Sequence, residues 1–350
     1  MSTASEAAAA DVVVPSAAID AHDRLPPLAK DPSFLGMTAT QFLGAFNDNL
    51  FKQLVLLLCI DNVLRGGSDW QGAAQAIFAI PFVFFSGFAG WLSDRTPKRG
   101  LVVLCKVAEI VIMAAGMAAF FVGGLRPEAL LIYLFIVLAL MSAQSAFFGP
   151  AKYGILPELF RDRDLPTANG LIQMTTFLAI IFGTALAGFA KDQFGGRLWA
   201  VSAMCVGVAV LGTLTSLPIR KTPIAHPGLR LKPSSLAIDS ALWDVLRSDR
   251  KLLGVLLTSS LFWLVAGLVP TTVNAFGKSQ LQLTDTRTSL MAACMGIGIA
   301  GGCVLAGRLS KGRVRFGLIT AGAWGLIAGF LAAAAIGAYG TADVPPEIAA

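Results

Sequence analysis

The sequence predicts an all-α polytopic membrane protein, with a six-helix first half followed by an incomplete second half. Three observations lead there. Of the 350 residues 55% are hydrophobic and only 14% charged, with mean hydropathy +0.71, which is too little polar surface for a water-soluble chain of this size. Apolar runs of about 20 residues, the length that crosses a bilayer as a helix, recur along the chain. Lys and Arg collect in alternate connections between those runs, as they do in chains that fix their orientation by charge.

Residues 1–33 are rich in Ala and Pro and carry Glu6, Asp11, Asp20 and Asp23. They lack the basic start, apolar core and cleavage site of a signal peptide, and read as a disordered cytoplasmic tail. Spans follow at 34–59, 73–92, 101–121, 130–148, 171–190 and 198–217, then a polar connection at 218–251. Three more spans, 252–273, 289–309 and 317–339, bring the count to about nine. The expected organisation is a tail (1–33), a six-helix half (34–217), a cytoplasmic linker (218–251) and the first three helices of a second half (252–350).

Basic residues crowd the connections after the second, fourth, sixth and eighth spans: Arg95, Lys98 and Arg99; Lys152, Arg161 and Arg163; Arg220 to Lys251; Arg308 to Arg315. The intervening connections hold only Arg65, Arg126, Lys191 with Arg197, and Lys278 with Arg287. The asymmetry sets the N-terminus and the rich loops in the cytoplasm. The net charge of +6 therefore reflects topology and contact with anionic membrane lipid, and nucleic acid is excluded as a partner. The five cysteines sit in or beside apolar spans without metal-ligand spacing, so no metal is expected and no cofactor is called for. The two histidines, His22 and His226, fall in the tail and the linker, which argues against a histidine-centred catalytic site and against an enzyme.

An internal repeat supports the two-half plan. Gly, Leu, Ser, Gly and Leu of the segment Gly90 to Leu101 recur at one constant offset in Gly307 to Leu318. The same offset carries the first span onto the seventh and the third onto the ninth. Parallel six-helix repeats produce this pattern. A second half of six helices needs more chain than 252–350 provides, so the sequence reads as a fragment or a truncated gene product, with a genuine nine-helix protein as the alternative.

Polar groups inside apolar spans mark the candidate site. Asp48 lies near the middle of the first span, where a carboxylate costs at least ~2.5 kcal/mol unless a cavity or partner receives it. Asn47 and Asn49 flank it, Lys52 lies one turn on, and Gln41 lies two turns before. Asp48 and Lys52 share a helix face, as a buried ion pair orienting the helix or as a polar binding stripe. Lys106 and Glu109 are spaced for a second intrahelical pair, with Lys106 near enough to the span's end to snorkel. Asn169, Gln173, Thr175 and Thr176 offer uncharged contacts in the fifth span or equally helix-packing hydrogen bonds.

Two connections carry motifs. Gly90-Trp-Leu-Ser-Asp94-Arg95-Thr-Pro-Lys98-Arg99 fits G-x-L-x-D-R-x-x-K-R. Gly90 would permit close helix approach, while Asp94 with Arg95, Lys98 and Arg99 would make and break contacts as a cytoplasmic latch. The segment from Ser145 to Leu159 contains Gly149-Pro150, where a helix break is expected. Beyond it, Lys152 and Tyr153 suit the headgroup level, with Glu158 in the same interfacial motif.

Q-F-L-G-A-F-N-D-N (41–49) together with G-P-A-K-Y-G-I-L-P-E-L (149–159), A-N-G-L (168–171) and S-L-F-W (260–263) resembles the bacterial lysophospholipid transporter (LplT) family of the major facilitator superfamily. The resemblance runs from about Phe34 to the end. It implies a major-facilitator fold and a secondary transporter of the cell inner membrane that flips lysophospholipid from the outer to the inner leaflet. Asp48 matches that family's first-helix acid, so a zwitterionic head would offer its ammonium to Asp48 and its phosphate to Lys52 or another base. Two departures stand out: Val269-Pro270-Thr271-Thr272 where the family carries an arginine, and Gln173 where it carries an acid. Similar membrane domains occur fused to acyltransferase modules, which makes an acyltransferase a possible partner or fused domain. The alternatives are an exporter of another amphiphile or drug, and the membrane domain of a lipid acyltransferase fusion.

Overall fold

Nine long helices run through the residues that the computed structural model describes, 26–64, 66–121, 126–229, 231, 240–310 and 316–342. They are α1 (Pro32–Leu64), α2 (Gln71–Arg95), α3 (Lys98–Phe121), α4 (Pro127–Gly154), α5 (Leu165–Phe194), α6 (Leu198–Ser216), α7 (Arg250–Ala275), α8 (Asp285–Ser310) and α9 (Phe316–Ala342). Eight helices among the described residues are long and apolar enough to cross a membrane, and the span expected at 289–309 lies within α8. The starts of α1, α2 and α3 recur at α7, α8 and α9 with nearly the spacing of the sequence repeat.

Local chemistry sets the helix ends. Asp31 accepts a hydrogen bond from the Ser33 amide at 2.8 Å and opens α1. Pro97 separates α2 from α3, and Pro127 and Pro166 sit in first turns, where no amide is needed. Gly195, at φ +41, takes the left-handed conformation that stops α5, donating its amide to the Lys191 carbonyl. Asp249 caps α7 by accepting from the amides of Lys251 and Leu252. The 33 residues of α1 make a rod about 50 Å long, which outreaches the hydrocarbon core at both ends.

The break expected at Gly149–Pro150 does not occur: α4 continues through Pro150 to Gly154. Proline removes one amide donor, but packing of Phe148, Ala151 and Lys152 against neighbouring helices holds the segment helical, as membrane helices tolerate. The helix ends four residues later in a single turn, Leu156–Leu159.

In the first half α1 packs on α4, α5 and α6, α2 on α4, and α3 on α4 and α6. One apolar core gathers Leu50, Phe51, Val55, Met113, Leu138 and Met141; another, nearer the basic connections, gathers Phe34, Met37, Val102, Ala151, Ile155 and Phe160. Gly183 lets the α1 backbone at Phe46 pass so close that any side chain there would collide with the Phe46 carbonyl.

Among the described residues, the second half touches the first toward one end. From Lys251 to Phe262 α7 is exposed, whereas Asn274 near its other end is fully buried. In α8 the buried positions run from Asp285 to Gly296, and its described side chains beyond are exposed. The helix α9 contacts the Phe276–Gln280 segment after α7, and apart from half-buried Leu318 its described side chains are exposed. The linker begins as a strap. Arg220 forks onto both carboxylate oxygens of Asp31 at 2.9 Å and donates to the Leu159 carbonyl. Further on, Ser240–Ser248 forms a short helix.

Candidate functional site

A deeply buried charge pair belongs to α3. Lys106 and Glu109 are each 1% exposed, and the Lys106 ammonium donates to Glu109 Oε2 at 2.6 Å. Glu109 Oε1 accepts from Asn47 Nδ2 at 2.7 Å, tying the pair to α1. The ammonium also lies 4.8 Å from the Phe148 ring centroid. Gly44 makes this possible, since a β-carbon there would occupy the place of the ammonium. Lys106 thus turns inward; snorkelling would leave Glu109 an uncompensated buried charge. The Asn47 carbonyl oxygen is buried without a hydrogen-bond partner among the described residues.

Asp48, half-buried, accepts a hydrogen bond from Ser145 of α4 at 2.6 Å. It forms no ion pair with Lys52 among the described residues; the Lys52 ammonium instead lies 4.7 Å from the Phe78 ring centroid on α2. Lys152, expected at headgroup level, is 8% exposed and donates to Thr176 of α5 at 3.2 Å. Thr176 in turn donates to Gln41 Oε1 at 2.7 Å, and Gln41 Nε2 donates to Thr175 at 2.6 Å. Asp48, Lys52, Lys106, Glu109 and Lys152 are close enough to interact electrostatically. A seam of both charge signs therefore runs between α1, α3, α4 and α5 inside apolar walls. Tyr153 reaches Gln173 at 3.2 Å on the exposed side. Asn49 and Asn169 bond carbonyls of their own helices, Ala45 and Leu165, and Asn169 faces outward, away from the seam.

The connection between α2 and α3 binds within the first half and to the linker. Lys98 pairs with Glu158 at 2.5 Å and lies 3.8 Å from Asp94. Arg95 and Trp91 both donate to the Leu229 carbonyl, and the Asp94 carbonyl accepts from the His226 amide. Arg99 donates to the carbonyls of Ile219 and Leu217 at 2.8 and 2.9 Å. Gly90 does not serve the close approach expected of it: a β-carbon added there meets open space, because no neighbouring element packs on that side of α2.

The opposite end holds a cluster that sequence reasoning missed. Lys191 of α5 bridges Asp61 of α1 at 2.6 Å and Asp285 of α8 at 2.5 Å. Lys278 pairs with the same Asp285 at 2.8 Å. Toward the centre, Gln53 of α1 donates to Asn274 at 2.9 Å and Ser289 at 3.2 Å, and Gln75 of α2 donates to the Gly267 carbonyl. In the sequence these were scattered polar residues at span ends, and no local spacing joined them. An apolar cavity of about 430 Å³ opens between α1, α5 and α8, lined chiefly by Phe46, Phe182, Leu186, Phe189 and Leu290. In α7, where a base was expected by resemblance, the hydroxyls of Thr271 and Thr272 bond the Leu268 carbonyl.

Residues 37–346 match the Major Facilitator Superfamily. Similar curated proteins are named lysophospholipid transporter LplT. That of Enterobacter sp. strain 638 is 29% identical over 281 residues, covering 79% of this chain and 66% of its own. That of Klebsiella pneumoniae strain 342 is 31% identical over 234 residues, covering 65% and 54%. That of Escherichia coli strain HS is 28% identical over 278 residues, covering 77% and 64%. The chain thus spans less than two thirds of the length of these relatives. A crystal structure of a peptide transporter POT mutant with sulfate superposes at TM-score 0.41, with 17% identity over 70% of this chain and 49% of that one, too loose a likeness to carry an argument. With apolar helices in a repeated arrangement and a family match across most of its length, the chain belongs to the major facilitator superfamily.

Proposed function

We propose that this protein is a secondary transporter of the inner (cytoplasmic) membrane, with its N-terminus and basic connections in the cytoplasm. Its substrate is a lysophospholipid or similar single-chain amphiphile, moved from the outer to the inner leaflet. The observation that carries the reading is the seam in which the Asp48 carboxylate and the Lys152 ammonium face one interior from α1 and α4. A zwitterionic head needs both signs, at a depth where an unpaired charge is costly. Its ammonium meets Asp48, with the unpartnered Asn47 carbonyl nearby; its phosphate meets Lys152, with Lys52 one turn beyond Asp48. The acyl chain lies against apolar helix surface such as that lined by Phe46, Phe182 and Leu290, so only the head requires a polar route. The names of the similar curated proteins point to the same substrate class. The connection from Gly90 to Arg99 acts as a latch, held in this structure on the linker and on Glu158.

Uptake of labelled lysophosphatidylethanolamine by cells producing the native protein tests the reading, with Asp48→Asn at matched membrane abundance. The substitution keeps a hydrogen-bond acceptor for Ser145 and removes the charge. Uptake falls about tenfold or more, since losing even ~1.4 kcal/mol of charge pairing is a factor of ten. Uptake unchanged in the variant removes Asp48 from the path; none by the native protein removes the lipid.

A further inference from the structure

The linker carries one element that neither half absorbs. Ser240–Ser248 forms a helix of nine residues, and the roughly 100° step of an α-helix sorts its side chains by type. Trp243, Val245 and Leu246 fall on one half of the circumference, and Asp244, Arg247 and Ser248 on the other. The apolar side is open: Trp243 is 46% and Val245 50% exposed, with Leu246 half-buried. A helix this short is marginal in water by propensity alone, so it needs a surface for its apolar side.

Its place in the chain supplies one. Asp249 is extended (φ −101, ψ 90), so this helix does not run on into α7, which Asp249 caps through the amides of Lys251 and Leu252. From Leu252 onward α7 is apolar, and Leu252, Leu253, Val255 and Leu257 are exposed, as lipid-facing residues of a span are. The edge of the hydrocarbon therefore lies within a turn of Arg250, and the whole linker helix is only about 14 Å long. Charge agrees with this placement. Arg247, Arg250 and Lys251 are exposed, and the Arg247 guanidinium lies 5.7 Å from the Trp243 ring centroid. That pair sets a ring suited to the headgroup boundary beside a group suited to phosphate. Of the nearby acids, Asp249 is engaged as a cap and Asp244 lies opposite the centre of the apolar side. A protein partner would need about 800 Å² from each side, more than one face of nine residues offers.

We infer that the Ser240–Ser248 helix, with Arg250 and Lys251, is a surface anchor that lies in the headgroup boundary of the cytoplasmic leaflet and recognises anionic phospholipid. The choice of leaflet rests on the orientation proposed above; binding to an anionic bilayer does not. Trp243, Val245 and Leu246 enter the boundary between headgroups and acyl chains, while Arg247, Arg250 and Lys251 meet phosphates. The linker is then held at two places, on the first half by Arg220 at Asp31 and on the bilayer by this helix.

Spin-label accessibility in nanodiscs tests the anchor without any substrate. The full-length protein, with its five cysteines replaced by alanine, carries one label, at Val245→Cys on the apolar side or at Asp244→Cys opposite. The nanodiscs hold phosphatidylcholine alone or phosphatidylcholine with phosphatidylglycerol. With phosphatidylglycerol, the label at 245 meets oxygen and is shielded from a water-soluble nickel chelate, about 5–10 Å below the phosphates. The label at 244 shows the opposite. In phosphatidylcholine alone the ratio of inserted to free label falls about tenfold or more, since each base near an anionic surface contributes about fivefold. The variant Arg247→Gln/Arg250→Gln/Lys251→Gln shows the same fall in phosphatidylglycerol. A label at 245 open to nickel in both lipids overturns the anchor. One shielded from oxygen and nickel alike means that protein covers this face, which overturns the lipid as its partner. Equal insertion in both lipids overturns the recognition of anionic lipid. Uptake enters none of these readings, so the transport proposal stands or falls separately.

Discussion

Burying a carboxylate between helices is costly unless a cation and a donor face it, and Glu109 has both, in Lys106 and Asn47. Removing one member of such a group is far costlier than replacing the group whole. Glu109→Ala should lower stability by about 3–5 kcal/mol, whereas Lys106→Met/Glu109→Leu should recover most of that loss; thermal unfolding in detergent compares them. Gly44→Ala should cost more than ~0.5 kcal/mol but less than the single loss, since the new methyl meets only the flexible end of the Lys106 side chain. Gly90→Ala, facing open space, should change stability by no more than ~0.5 kcal/mol. Equal losses in the two glycine variants would contradict this account. The sequence singled out Gly90 and passed over Gly44; only the neighbouring helices show which of the two is crowded.

At the scale of elements, α4 and the linker illustrate how packing overrides local signals. Pro150 breaks nothing because its turn is wedged among buried neighbours, and the polar linker is pinned because carbonyls at its start meet a guanidinium. Arg99 donates to Leu217 and Ile219, and its amide donates to Thr222. Charge-assisted bonds of this kind contribute about 1.5–3 kcal/mol when well shielded, and less here because one of them is exposed to solvent. Arg99→Ala should therefore raise the rate of limited proteolysis within residues 217–229 by about tenfold, corresponding to ~1.4 kcal/mol of local opening. An unchanged cleavage rate would mean the strap is held elsewhere.

For the whole molecule, charge asymmetry and helix direction make one prediction together. If the basic connections face the cytoplasm, a membrane-impermeant thiol reagent added to intact cells should label Gln282→Cys and spare Ala225→Cys, both exposed positions, in a background without native cysteines. The reverse pattern would invert the orientation. The sequence by itself determined the all-helical membrane class, the span positions and the repeat between halves, and it singled out Asp48 as a charge within a span. Each follows from local hydropathy, from spacing along the chain, or from the cost of a charge in an apolar run. Only the tertiary structure decided which charges meet. It placed Asp48 on Ser145 rather than Lys52, drew Lys152 and Lys106 inside, and brought Asp61, Lys191, Lys278 and Asp285 together. The reason is physical: in a helical membrane protein each span satisfies its backbone alone, so the sequence fixes the helices one at a time. Side-chain pairing between spans depends on helix rotation and close approach, set by glycines and packing that no single span records.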